Sequence, residues 1–150
     1  MKNKQYFEKI KHNVFTDRRG EVVFGVMRKN KSVILVTSRE YPKGIFRIPT
    51  GGVGHNENIE NAVVREVMEE LGLETRIVAF PGVYCLKFIL HDEIVWFYSY
   101  VFLLEELSGR LLVDASDDEV SEVLEAYDDE LKQALDKLSS MNGYWKDWGR

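Results

Sequence analysis

Residues 51–73, GGVGHNENIENAVVREVMEELGL, decide how this chain is read. The glycine-rich start leads to Asn58, whose side-chain oxygen can accept a hydrogen bond from a backbone N–H left free in the first turn of a helix. Gly72 closes the segment as a residue able to take positive φ at a helix C-terminus. Between those two caps the spacing predicts one helix. At about 100° per residue, Glu66, Glu69 and Glu70 fall within an arc of roughly 100°. Val63, Val64, Val67, Met68 and Leu71 occupy the opposite arc, the face expected to be buried against a sheet.

Carboxylates at i, i+3 and i+4 repel one another by about a few tenths of a kcal/mol per pair. An acidic triplet by itself is most often a solvated helix face. A cation among the three removes the conflict, and carboxylate oxygens are hard ligands of the kind that Mg²⁺ or Mn²⁺ takes. Zinc fits less well, because no His or Cys lies at ligand spacing nearby.

The full pattern places Gly51, Glu57, Arg65, Glu66, Val67, Glu69, Glu70, Gly72 and Leu73 at fixed intervals over twenty-three residues. It resembles, at every specified position, the signature of the Nudix hydrolases, MutT-like enzymes that cleave diphosphates linked to another group. The resemblance implies an α/β fold, an α/β/α sandwich around a mixed β-sheet. It implies Mg²⁺ or Mn²⁺ as cofactor, with Glu66, Glu69 and Glu70 as its ligands. Glu66 is the first choice for the base toward the attacking water, and Glu119 or Glu122 is the candidate outside the helix. Arg65 and Glu57 join the catalytic group as a pair that holds the loop against the helix and fixes ligand geometry. In the loop Thr50-Gly51-Gly52, family members commonly have glycine where Thr50 stands, and that residue's carbonyl often reaches the metal. If the position needs positive φ, threonine is strained there. Arg39 stands where MutT-like proteins often carry an arginine, and its fork suits phosphate oxygens; Arg47 is the second candidate.

The reaction so implied is substitution at phosphorus in a nucleoside diphosphate linked to a further moiety. For a nucleoside triphosphate the products are the monophosphate and pyrophosphate. Phe88 and Ile89 stand where ADP-ribose enzymes carry a proline. Ile89, Leu90 and His91 stand where a tyrosine accompanies dinucleoside polyphosphates. These absences lean toward a triphosphate or a modified nucleotide. The rival reading is a catalytically silent nucleotide sensor on the same fold, against which the intact carboxylates argue. An isoprenoid-diphosphate isomerase on a similar scaffold would need a catalytic cysteine, and Cys85 sits in an apolar run instead.

Outward from this stretch, 150 residues with 45% hydrophobic content suit one domain spanning 1–150. No apolar run is long enough to cross a membrane, and no secretory h-region is present. The single cysteine, Cys85, excludes an internal disulfide, which fits a reducing cytoplasm. The same residue reads as a buried small hydrophobe. Nine acidic residues, Asp114, Asp117, Asp118, Glu119, Glu122, Glu125, Asp128, Asp129 and Glu130, lie between Arg110 and Lys132 with no Lys or Arg among them. A net charge of −5 without a basic stripe argues against long nucleic acid as a partner and leaves a small phosphorylated molecule compatible.

Strands are expected over 21–27 and 33–37, joined by a polar turn at Arg28–Ser32. The first thirteen residues read as a surface segment or edge strand. After the helix come strands over 75–80 and 83–90, broken at Pro81-Gly82, and a turn at His91-Asp92. The run 94–104 is rich in aromatic and β-branched residues, so it too is a strand. On pattern alone residues 119–138 could form one amphipathic helix; the family resemblance implies instead a strand up to about Ala126, then a helix from about Asp128 to Leu138 with Asp128 as its cap. Tyr144, Trp145 and Trp148 near the end are candidates for capping the domain, covering the active site or joining a homodimer.

Overall fold

The apolar run ending at Met27 forms β1 (Gly20–Met27), and the chain returns as β2 (Val33–Thr37). Their turn is closed by the Arg28 N–H on the Ser32 carbonyl at 2.9 Å. The structure, a computed structural model, describes residues 2–12, 20–112 and 122–141. The two strands pair only beside the turn, where Met27 faces Val33. Arg47 bridges to Val36, the Phe24 N–H donates to the Pro49 carbonyl at 3.1 Å, and β3 (Thr50–Val53) then pairs antiparallel with β1 from Thr50↔Val23 to Val53↔Gly20. The loop expected at Thr50, Gly51 and Gly52 is therefore a strand. Where β2 departs, the backbone groups on that edge of β1 need partners, and this segment supplies them. Positive φ among described non-glycine residues is confined to Lys31 and His91, so Thr50 carries none of the strain anticipated for it.

The predicted helix is α2 (Ile59–Leu71), with both caps as expected. Asn58 Oδ1 accepts from the Glu60 and Asn61 N–H groups at 2.9 and 3.2 Å. Gly72 takes φ 72° and donates its N–H to the Met68 carbonyl. Ala62, Val63, Val67 and Leu71 are buried with Val22, Phe24, Val53, Leu73, Phe102 and Leu104, and this cluster is the core. The helix is rotated from the expected setting: Val64 and Met68 are 40% and 48% exposed, while Glu70 is 4% exposed. The cause is Arg65, which is tied to β3 through the Gly52 carbonyl and so turns the acidic arc toward the sheet.

β4 (Leu73–Leu90) runs unbroken through Pro81-Gly82; the expected break appears as register shifts on either side of Ala79. His91-Asp92 makes the turn into β5 (Glu93–Gly109). β5 pairs antiparallel with β4 and parallel with β1, from Gly20↔Tyr98 to Met27↔Glu105, which makes the sheet mixed. β6 (Glu122–Ala126) pairs antiparallel with β2, giving the order β4-β5-β1-β2-β6 with β3 on β1. The last helix, α3 (Asp128–Ser140), is capped one residue earlier than expected. The Tyr127 N–H, not Asp128, occupies the cap position and donates to the Glu130 carboxylate at 3.1 Å.

The N-terminal segment, expected as a surface stretch or edge strand, is a helix, α1 (Lys2–His12). It packs against β4 and β5, buries Phe7 and ties Lys11 to Glu93 at 2.9 Å. Its last turn carries Lys9, Lys11 and His12, the charge that a helix C-terminus favours. Side chains alternate along β5: Phe102 and Leu104 face α2, while buried Val95 and Phe97 point to the other side, where α1 supplies cover. The architecture is the mixed sheet between helices that the sequence implied. Cys85, expected in the core, is exposed, because it pairs with Tyr98 on the face of the β4–β5 hairpin opposite α1, which no helix covers among the described residues. No helix among the described residues is long and apolar enough to cross a membrane. Glu119, the acidic residues from Asp114 to Asp118, and the aromatic stretch from Tyr144 to Trp148 lie outside the described residues.

Candidate active site

Arg65 is the hub of the acidic face. Its Nε and Nη2 meet the two Glu57 carboxylate oxygens, each at 2.8 Å. Its Nη1 reaches Glu66 Oε1 at 2.8 Å and Glu69 Oε2 at 3.0 Å, and Nη2 also donates to the Gly52 carbonyl at 3.2 Å. One guanidinium thus joins the loop carboxylate, two helix carboxylates and the strand beneath. Hydrogen bonding to Glu57, then to Glu66, outweighs burial and raises the Arg65 pKa above its ordinary value. Glu57 Oε1 in turn accepts from the Gly54 N–H at 3.3 Å, which closes the loop between β3 and α2.

Gly51 explains how Glu66 fits. A Cβ at this position would collide with the Glu66 side chain, its carboxyl carbon and Oε2 included. The glycine therefore lets a carboxylate lie directly against the sheet. Glycine inside a strand commonly marks such a close approach, so the signal was present in the sequence. A sequence reading confined to cap and turn roles missed it.

The structure brings Glu57, Arg65, Glu66 and Glu69 into one network and places buried Glu70 one turn along from Glu66. Among the described residues, no three His, Cys, Asp or Glu side chains already converge at coordinating distance. The donor set nevertheless suits a hard divalent cation. It consists of carboxylate oxygens, with one carboxylate nested over a Cβ-free strand and a guanidinium offsetting the mutual repulsion of its neighbours.

Arg39 is exposed in the turn after β2, and Arg47 is half-buried, exchanging both backbone hydrogen bonds with Val36 at 2.9 and 2.8 Å. From Arg47 the chain runs on to Gly51, four residues or at most about 13 Å of extended backbone away. Glu122 is exposed at the start of β6, opposite Thr37. The outer end of β2 thus gathers Arg39, Arg47 and Glu122, whereas Glu119 lies outside the described residues. His55 is exposed in the loop before α2, as a plain turn residue would be.

Comparison with known proteins shows the family and the fold. The family model described as NUDIX domain matches residues 17–144. An ADP-ribose pyrophosphatase of Methanocaldococcus jannaschii is 36% identical over 90 residues, which is 59% of this chain and 52% of that protein. An 8-oxo-dGTP diphosphatase of Buchnera aphidicola is 28% identical over 92 residues, 60% of this chain and 66% of that one. The chain thus spans about half to two-thirds of the length of these relatives. A solved NUDIX hydrolase from Nitrosomonas europaea superposes with a TM-score of 0.59 at 19% identity, covering 77% of this chain and 76% of that structure.

Proposed function

The chain belongs to the NUDIX domain family, and on that footing we propose that it hydrolyses a nucleoside diphosphate linked to another moiety, with a divalent metal ion as cofactor. The observation that carries the reading is the Arg65 hub, which holds Glu66 against Gly51 at the centre of an acidic helix face. Mg²⁺ or Mn²⁺, held by Glu66, Glu69 and Glu70, would neutralise the diphosphate oxygens and acidify a bound water. Glu66 then serves as the base that takes the proton of the attacking water. Glu57 and Arg65 act through Glu66 by fixing its rotamer. Arg39 and Arg47 stand at the strand end that leads to Gly51 and meet the outer phosphate oxygens. Water oxygen bonds to phosphorus, the bridging P–O bond breaks, and the leaving group departs with its phosphate.

The preferred substrate is a nucleoside triphosphate or modified nucleotide, giving the monophosphate and pyrophosphate. A second reading, an ADP-ribose-like substrate, is favoured by the 36% identity to a protein named for that activity. Residues 1–150 work as one domain in this proposal, and the lone exposed thiol suits the reducing cytoplasm.

The test is product release from triphosphates, oxidised nucleotides, ADP-ribose, nucleotide sugars and dinucleoside polyphosphates, with Mg²⁺ or Mn²⁺, beside Glu70→Gln. Metal-dependent turnover of one class, reduced by orders of magnitude in the variant, is the expected result. Nucleotide binding without turnover in any of them would overturn the hydrolase in favour of a sensor.

A further inference from the structure

Glu21 is a carboxylate that the packing of the sheet does not call for. It stands on β1, the central strand, paired with Gly52 of β3 on one side and with Ser99 of β5 on the other. Val22, Phe24 and Val26 belong to the core beneath α2, so Glu21 points to the opposite face of the sheet. Its side chain is half-buried, and the Ser99 hydroxyl, on a residue only 6% exposed, donates to Oε1 at 2.8 Å. No Lys, Arg or His among the described residues forms an ion pair with it. One neutral hydroxyl compensates little for withdrawing a carboxylate from water, whereas N–H donors of a ligand would form the stronger charge-assisted bonds.

Two consecutive glycines relate this carboxylate to the candidate active site. Gly51 makes room for Glu66 on the α2 face. Gly52 brings no side chain to the rung that Glu21 occupies on the other face. One strand spacing and one residue separate the Cα atoms of Gly51 and Glu21, about 6 Å. Among the described residues β3 pairs with β1 alone, so its outer edge leaves a way from one face to the other. Beside Glu21 the half-buried Val23, Val101 and Thr50 continue the same face as a mainly apolar floor. Few polar groups above an apolar floor are the usual make-up of a small-molecule site.

We propose that Glu21, oriented by Ser99, selects the base of the substrate, and that this base is guanine or a guanine derivative. The proposal rests on the hydrolase reading of the Glu66 site, which holds the diphosphate of the same nucleotide. Ser99 uses its one O–H on Oε1, so the pair offers a ligand acceptors only. Guanine is the common base with two adjacent N–H donors on one edge, at N1 and at the 2-amino group. Adenine shows a ring acceptor beside its amine, and uracil flanks its single N–H with carbonyls, so each sets lone pairs against the carboxylate. Phosphate is repelled, which orients the nucleotide with its base toward Glu21 and its diphosphate toward Glu66. ADP-ribose, an adenine compound, is disfavoured on the same ground.

The test compares kcat and KM for GTP, inosine triphosphate and ATP with Mg²⁺ in the wild type, Glu21→Gln and Ser99→Ala. Binding of GMP and AMP by calorimetry runs beside it, with thermal melts to confirm folding. GTP should be preferred over ATP by about 10–100-fold in kcat/KM. Inosine triphosphate, which lacks the 2-amino group, should fall between them. Glu21→Gln should raise KM for GTP by about that factor with kcat nearly unchanged, and bring GMP and AMP binding together. Ser99→Ala should act in the same direction and less strongly, because it loosens the carboxylate without removing it. Equal kcat/KM for GTP and ATP in the wild type overturns the proposal and leaves the hydrolase standing. A Glu21→Gln variant that melts lower but keeps the preference for GTP does the same, since the pair is then only a clasp between strands. Glu21-dependent GMP binding without turnover of any nucleotide supports the base assignment and overturns the hydrolysis alone. Absence of both binding and turnover of guanine nucleotides overturns both.

Discussion

Alanine at position 51 isolates the contact on which the active-site geometry rests. Gly51 lies in ordinary strand conformation, paired with Val22, so alanine meets no backbone penalty there. Its methyl group would instead overlap the Cγ, carboxyl carbon and Oε2 of Glu66. Restoring a carbon–carbon separation of about 3.5 Å requires the carboxylate or the strand to move by roughly 1 Å. Overpacking of this kind costs about 1–3 kcal/mol, partly offset by about 0.4–1 kcal/mol from a stiffer unfolded chain. A net loss near 1–2 kcal/mol corresponds to a melting point lower by roughly 2–8 °C. The catalytic cost should be larger, because displacing a reacting group by about 1 Å can cost on the order of 10²-fold in rate. The assay is metal-dependent product release, with Mn²⁺ affinity by calorimetry as an independent readout. Gly54→Ala is the control, since its Cβ would meet Glu57 at an ordinary 3.6 Å. Wild-type turnover and Mn²⁺ affinity in Gly51→Ala would refute the cradle.

Arg65→Lys keeps the charge but loses the fork that serves Glu57, Glu66, Glu69 and the Gly52 carbonyl together. Turnover should fall about 10–100-fold with little change in melting point; a lysine variant as active as wild type would show that the hub is ornamental. Arg28 grips both oxygens of Glu106 at 3.0 and 3.1 Å and Glu125 at 2.7 Å, and its hydrogen bonds hold both carboxyl pKa values below the ordinary range. Depressed carboxylates stabilise the fold above their unfolded pKa of about 4.3 and lose that contribution as pH falls through the folded value. Arg28→Met should therefore be less stable by about 2 kcal/mol at neutral pH, a figure discounted for the partial exposure of Glu125. The gap to wild type should close in acid unfolding below about pH 4, and a gap independent of pH would remove the ion pairs from the explanation. Thr75 is buried and its hydroxyl has no hydrogen-bond partner among the described residues. Thr75→Val should be neutral or stabilising by up to about 1 kcal/mol in thermal unfolding, and a clear destabilisation would mean the hydroxyl is satisfied.

Local chemistry was legible in the sequence, and the missed features depend on what packs where. Asn58 and Gly72 bounded α2 correctly because a cap needs only its own turn. The Glu57–Arg65 pair was readable because the loop between β3 and α2 leaves few ways to place them. The rotation of α2 was not, since a helical wheel weighs valine and methionine above glutamate. One guanidinium anchored to the Gly52 carbonyl reverses that order, burying Glu70 and exposing Met68. The strand at Thr50–Val53 was likewise hidden, because its pairing exists only where β2 leaves β1. Cys85 and α1 failed together and for a related reason. Apolar alternation says that a strand has a face to bury without saying which face receives a helix. α1 takes the Val95 and Phe97 side, leaving Cys85 and Trp96 on the other. The misplaced residues therefore fall into two sets: those around Glu66, whose side chain lies against the Cβ-free strand at Gly51, and those on the β4–β5 hairpin, where one face carries α1 and the other is exposed. In both places the outcome is set by what packs against the segment rather than by the segment's own pattern, which a local rule does not see.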